Sequence, residues 1–207
     1  MPTAPLADRP YRGKRLVDLS IVAVVALPAI ALGALCALAV RVTSKGPVFF
    51  RQDRVGMGGT SFVCLKFRTM ADGDNPIIPD ESVITSAGRL LRRLSLDELP
   101  QLINVVRGEM SVVGPRPTLA YQVERWTPRQ RERLNVRPGL TGLAQVNGRN
   151  DLSWPERIEF DLEYVETQSV RTDLAILART AGAMLGGEGT GATAADDPIA
   201  RVEEPVG

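Results

Sequence analysis

Arg92-Arg93-Leu94-Ser95-Leu96-Asp97-Glu98-Leu99-Pro100-Gln101 sets two adjacent carboxylates beside two arginines in a 207-residue chain that contains no histidine. With imidazole absent, proton or phosphoryl chemistry falls to carboxylates, amines and metals. Ser95 and Glu98 have the S-x-x-E spacing of a capping box, which predicts a helix start at the acidic pair. Pro100 would cost that helix a backbone bond, so a tight turn from Ser95 with Pro100 as the first helical residue is the other reading. Both end the helix near Val106, at Gly108. Both also aim the positive end of the helix at the carboxylates, an end that favours phosphate. Acidic residues in a first turn are also ordinary capping chemistry, so spacing alone leaves catalysis open.

The chain that must position this pair is divided in charge. Residues 1 to 150 carry 21 Lys/Arg against 12 Asp/Glu and residues 151 to 207 carry 4 against 12, giving +9 and −8 within a net +1. A basic body suits phosphorylated ligands or an anionic membrane face. The arginines lack interleaved aromatics, which argues against nucleic acid. Cys36 and Cys64 form neither a disulfide framework nor a zinc pattern. A hydrophobic content of 44% supports one domain with a core plus an attachment.

The attachment is Leu19 to Val40, 22 residues without a charge. As a helix it would be about 33 Å long, enough to cross the hydrocarbon core. Pro28 lies near its middle and cannot donate to the Val24 carbonyl, which predicts a bend. The apolar run is too long for a cleaved signal peptide, and Leu32 to Cys36 make a poor lipoprotein cleavage site. A straight span and a re-entrant hairpin remain. Basic residues on both flanks, Arg12, Lys14 and Arg15 before and Arg41 and Lys45 after, favour a hairpin that leaves by the face it entered. Asp18 can pair with Lys14 or Arg15.

Val48 to Gln52 and Ser61 to Arg68 read as two strands around a glycine turn, with Val63, Leu65 and Phe67 on the apolar face and Lys66 and Arg68 on the other. Ala71 to Asp80 reads as a polar loop and Ile84 to Arg93 as a short basic helix. Met110 to Val113 is a brief strand leading to Gly114-Pro115-Arg116-Pro117, where fixed φ on both sides stiffens the backbone around one arginine. Trp126 to Leu134 reads as a basic amphipathic helix, interfacial or solvated. Arg137 to Arg149 is too glycine-rich for a regular helix and reads as a shaped loop. Ser153 to Glu156 is a second capping box opening a helix to about Thr167. Asp173 to Leu185 reads as another, with Leu174, Leu177, Ala178, Ala181 and Leu185 on its apolar stripe. The tail from Gly186 lacks enough apolar content to fold.

Several of these motifs recur together in one family. Lys14-Arg15-x-x-Asp18 before a Pro-broken apolar helix, Lys66-Phe67-Arg68-Thr69-Met70, Ser95 to Gln101, Gly114 to Pro117 and Arg137-Pro138-Gly139 through Asn150 resemble the bacterial sugar transferases, the small monotopic phosphoglycosyl transferases. The resemblance covers roughly residues 12 to 185. It implies an α+β fold: a flexible N-terminus (1–11), a re-entrant membrane helix hairpin broken at Pro28 (12–45), and a small, mostly helical cytoplasmic catalytic domain with a β-hairpin (46–185). A disordered acidic tail (186–207) follows.

The resemblance further implies transfer of a sugar 1-phosphate from a UDP-sugar to polyprenyl phosphate, giving a polyprenyl diphosphate sugar and UMP at the cytoplasmic face of the bacterial inner membrane. By position Asp97 is the nucleophile that forms a covalent phosphosugar intermediate, and Glu98 is the ligand of the required Mg²⁺. Lys66, Arg68, Arg92, Arg116 and Arg137 are the candidate phosphate contacts, with Arg92 nearest the polyprenyl phosphate and Arg116 nearest the nucleotide. Family members often have serine before the helix-breaking proline, where this chain has Leu27. The sugar, the glycan pathway and a homo-oligomeric state are left open. A non-catalytic membrane-anchored partner and a lipid phosphatase are the competing readings.

Overall fold

A computed structural model of the chain describes residues 10–71, 83–148 and 152–186. The N-terminal residues 1–9, most of the loop expected at 71–80, Arg149 and Asn150 of the glycine-rich motif, and the acidic tail from 187 lie outside the described residues. Helix α1 (Lys14–Thr43) runs for 30 residues with Pro28 inside it. The expected helix-break-helix is therefore corrected to one continuous helical element, since a proline removes a single backbone bond and leaves the turns on either side intact. By length and composition it could cross a membrane.

Both ends of α1 dock on the same body. Near its start, Lys14 is buried between Asp18 (3.3 Å) and Asp173 (2.6 Å). Asp18 accepts from Ser111 Oγ at 2.9 Å and from the Val112 amide at 3.0 Å. Near its end, Cys36 and Val40 pack against Phe67 and Leu91. Between these contacts Val24, Leu27 and Ile30 are exposed, at 80%, 81% and 69%. Arg15 does not join Asp18; it donates to the carbonyls of Val105 and Val106.

Strands β1 (Phe49–Val55) and β2 (Ser61–Phe67) form the expected antiparallel hairpin, closed by stacked Phe49 and Phe67 rings. The inner face is the expected one at Phe67, which is buried against α1, and the reverse of it over Phe62 to Cys64. Phe62 and Cys64 are buried while Val63 is exposed, because Lys66, on the Phe62 face, has an acidic partner inside the fold. Alternation misleads where an inward cation is paired.

Helix α2 (Ser86–Arg93) is capped by Thr85, whose hydroxyl accepts from the Gly88 amide at 2.9 Å. Helix α3 (Gln101–Arg107) ends on Gly108, a residue with φ of 81° that favours glycine. Strand β3 (Ser111–Val113) is followed by α4 (Ala120–Glu124), then by β4 (Gly139–Thr141) and the short α5 (Leu143–Asn147). β3 and β4 pair in parallel, so the segment expected to be a loop is partly ordered as strand. The chains approach so closely there that a Cβ at Gly139 would collide with the Gly114 backbone. The Trp126 to Leu134 stretch is also corrected: its ordered part is a 3₁₀ helix, Gln130–Asn135, with Trp126 buried.

Helix α6 (Trp154–Thr167) starts at the capping box expected at Ser153 and Glu156, and α7 (Val170–Gly186) follows. The apolar stripe expected on α7 is rotated. Asp173 and Ile176 are buried and Leu174 is 56% exposed, because the Asp173 carboxylate accepts from Tyr11, Lys14 and Tyr164 and fixes the helix face. The main core gathers Val22, Val105, Val113, Tyr164 and Ile176 from five elements, with Met110 from the turn between α3 and β3. Each such buried side chain contributes about 1.5–3 kcal/mol.

Candidate active site

The acidic pair lies on a single 3₁₀ turn, Leu96–Glu98, between α2 and α3. The capping box expected at Ser95 does not form: Ser95 is left-handed, with φ of 55°, and its side chain caps nothing. It is the one non-glycine residue with positive φ among those described, a conformation that costs serine about 1–2 kcal/mol. Leu96 and Leu99 bracket the turn and pack on the Cys36 and Val40 cluster of α1. The carboxylates are thereby seated where the apolar helix meets the body.

Two cations converge on one oxygen of Glu98. Lys66 Nζ reaches Oε1 at 2.8 Å and Arg116 Nη2 reaches the same atom at 2.9 Å. The Glu98 side chain is 18% exposed. Burial would raise its pKa, but the charges of Arg116 and Lys66 outweigh that and hold Glu98 well below the usual carboxylate range. Asp97 behaves oppositely: burial and the Glu98 charge push its pKa up, against the weaker pull of Lys66, Arg116 and Arg92. Burial lowers the pKa of Arg54 on β1, and the charge of Arg116 adds to the effect.

Lys66 is held in place by Asn104 of α3. That amide is fully buried, accepts from the Leu65 N–H at 3.1 Å and donates to the Val63 carbonyl at 2.8 Å, so β2 is fixed to the helix that follows the acidic turn. Arg92 donates from Nε to Thr69 Oγ1 at 2.8 Å and lies within the electrostatic reach of Asp97. Of the candidate cations, Lys66, Arg92 and Arg116 thus gather at the pair.

Arg68 and Arg137 do not. Arg68 is buried and donates to the carbonyls of Ser44 and Lys45 and to Ser44 Oγ, closing the end of α1. Arg137 Nε donates to the Gly108 carbonyl at 2.7 Å, at the end of α3. Helix C-termini carry unpaired carbonyls, and they compete with phosphate for arginine. Arg54 and Asn104 were missed by sequence reasoning. Arg54 sits in an alternating strand with no local signal, and nothing in the spacing of Asn104 points across to β2.

Residues 10–187 match the bacterial sugar transferase family. The chain belongs to that family. Like its other members it is an enzyme of sugar transfer. It is 47% identical over 153 residues to EpsL of Bacillus subtilis, described as an uncharacterized sugar transferase, covering 72% of this chain and 76% of that one. It is 42% identical over 199 residues to the exopolysaccharide production protein ExoY of Sinorhizobium fredii, covering 84% and 87%. It is 42% identical over 185 residues to the UDP-glucose:undecaprenyl-phosphate glucose-1-phosphate transferase of Caulobacter vibrioides, covering 83% and 69%.

No cluster of three or more His, Cys, Asp or Glu side chains occurs among the described residues. The donor set of this sugar transferase suits a different arrangement. Lys66 and Arg116 both hold Oε1 of Glu98, and Asp97 accepts no hydrogen bond from the described residues. One or two carboxylates with open oxygens fit an ion that arrives largely ligated by substrate phosphates, as Mg²⁺ does.

Proposed function

We propose that this sugar transferase moves a sugar 1-phosphate from a UDP-sugar to polyprenyl phosphate, by way of a covalent intermediate on Asp97. A carboxylate oxygen of Asp97 attacks the phosphorus that carries the sugar. The bond from that phosphorus to the bridging oxygen breaks, and UMP leaves. A phosphate oxygen of the polyprenyl acceptor then attacks the same phosphorus, freeing Asp97 and yielding the polyprenyl diphosphate sugar. UMP leaves as a phosphate monoester whose last pKa is about 6, so no strong general acid is needed. That accounts for a site built without histidine.

The observation that carries this reading is the seating of the acidic turn on α1 through Leu96 and Leu99. It brings a carboxylate to the level where a lipid-borne phosphate and a soluble one can use the same site in turn. Raising the pKa of Asp97 makes it a more basic nucleophile once ionised, while Glu98, Lys66 and Arg116 are fixed beforehand around the charge that develops. Glu98, through the oxygen that Lys66 and Arg116 leave open, would hold Mg²⁺, which offsets the repulsion between carboxylate and diphosphate when bound. Arg92 is assigned to the polyprenyl phosphate and Arg116 to the nucleotide.

The same reading has α1 bend at Pro28 without losing its helical continuity, a re-entrant element entering and leaving the inner membrane from the cytoplasmic face. If the helix crossed the bilayer, the Lys14 end and the Ser44 end would lie on opposite sides, yet one body holds both. Leu90 of α2, Leu94 just past its end, and Ile103 and Val106 of α3 are exposed and would meet lipid. The deciding experiment incubates the protein in detergent with a panel of UDP-sugars, polyprenyl phosphate and Mg²⁺. UMP release with one donor, lost on chelation, is expected. No UMP from any donor refutes the reading.

A further inference from the structure

Four consecutive carbonyls around Arg116 are each held by a donor from elsewhere. The Gly139 amide donates to Pro115 O at 2.8 Å and the Val55 amide to Thr118 O at 2.9 Å. Arg133 Nη2 donates to Arg116 O at 3.2 Å, and Arg54 Nη1 donates to Pro117 O at 3.3 Å. Pro115 and Pro117 have no N–H, so the segment is fixed through its acceptors.

Of the two side chains, Arg54 lies in the field of Arg116 and Glu98 and belongs to the site. Arg133 reaches only the back of it. Its side chain is 3% exposed, its guanidinium lies 4.6 Å over the Trp126 ring, and Nη2 meets Asp161 Oδ2 of α6 at 2.5 Å. Arg133 Nε and Nη1 have no hydrogen-bond acceptor on the described residues. A buried ion pair gives back to desolvation much of what it gains, so this one is a poor stabiliser with a defined geometry.

We propose that Arg133 and Asp161 are positioning residues for Arg116. Asp161 holds Arg133, Arg133 holds the Arg116 carbonyl, and the Arg116 guanidinium is thereby kept on Glu98. The activity arm of the test rests on the transferase reading; the structural arm does not.

Two variants are made in the full chain. The apolar swap Arg133→Met with Asp161→Leu removes both charges together, which buried pairs tolerate. Arg133→Lys keeps the charge opposite Asp161 but, on a shorter stem and without the planar group that lies over Trp126, does not carry a nitrogen to the point where Nη2 meets Asp161 and the Arg116 carbonyl together. Both are expected to lower kcat/KM for UMP release about tenfold. Arg133→Lys keeps a parent-like melting temperature, so it decides the matter should the swap not fold. In an Arg116→Ala background the same changes produce no further loss, because nothing remains to be positioned. Losses that multiply in that background, or parent-like kcat/KM in Arg133→Lys, overturn the proposal. Exchange of the Gly139 and Val55 amides, which donate to Pro115 O and Thr118 O, is expected to quicken in the variants while β3 stays protected; unchanged exchange overturns it too. Should the parent protein release no UMP, the transferase reading fails and the exchange measurement still judges the clamp.

Discussion

Asp97 and Glu98 share a peptide bond and are driven to ionise in opposite directions. Glu98 has two cations on one oxygen and is held low; Asp97 has no hydrogen-bond donor among the described residues and is pushed up by burial and by its neighbour. Environments that separate the pKa values of paired acids also separate their roles. On the proposed reading Glu98 is the fixed charge and Asp97 the group that reacts.

Asp97→Asn is therefore expected to lower UMP release by roughly 10³-fold or more and to abolish any labelled protein adduct formed from a radiolabelled UDP-sugar. The two losses must come together. An adduct that survives the change assigns the nucleophile to another residue.

The buried junction of α1 with α7 should dominate stability over surface ion pairs. Asp173→Ala strands Lys14, Tyr11 and Tyr164 without their common acceptor, at an expected cost of about 3–5 kcal/mol. Arg129→Ala removes only exposed pairs to Glu132, Glu159 and Glu166, worth about 0–1 kcal/mol. Denaturant unfolding of both variants in detergent checks the contrast. Equal losses would mean that the junction does not hold the helix.

Single cysteines at Arg12 and Lys45, in a chain carrying Cys36→Ala and Cys64→Ala, report the topology of α1. A membrane-impermeant maleimide is expected to reach both in inside-out vesicles and neither in intact cells. Modification from opposite faces would establish a spanning helix.

The α6 cap carries a pH dependence of known sign. Glu156 Oε2 accepts from the Ser153 amide and hydroxyl, and these bonds lower its pKa. A carboxylate depressed on folding contributes stability that is present above its unfolded pKa and is lost as pH falls through the folded one. Ser153→Ala should cost about 1 kcal/mol near neutral pH. That difference from the parent should shrink on acidification below the usual glutamate range. A difference that grows in acid would exclude this cap as its origin.

Local chemistry was readable from the chain, and the choice of distant partners was not. The β-hairpin, the stop at Gly108 and the Ser153 cap follow from residues within a few positions of one another, and they stand where the spacing put them. Asp97 and Glu98 were legible as a pair, but the capping role expected for Ser95 and Glu98 fails because Lys66 and Arg116 claim the glutamate. Arg15, Arg68 and Arg137 show the same limit. Each arginine closes the end of a helix, and that contest between carbonyl and phosphate is decided only by the fold. The α7 stripe was misread because a buried aspartate outranked its leucines.

Asn104 joins β2 to α3 with one side-chain amide, so the lysine and the glutamate of the site, 32 residues apart, travel as a single rigid piece. On the proposed reading the catalytic geometry then depends on that rivet. Warming that works it loose would silence the enzyme while the helical bulk of the protein was still intact.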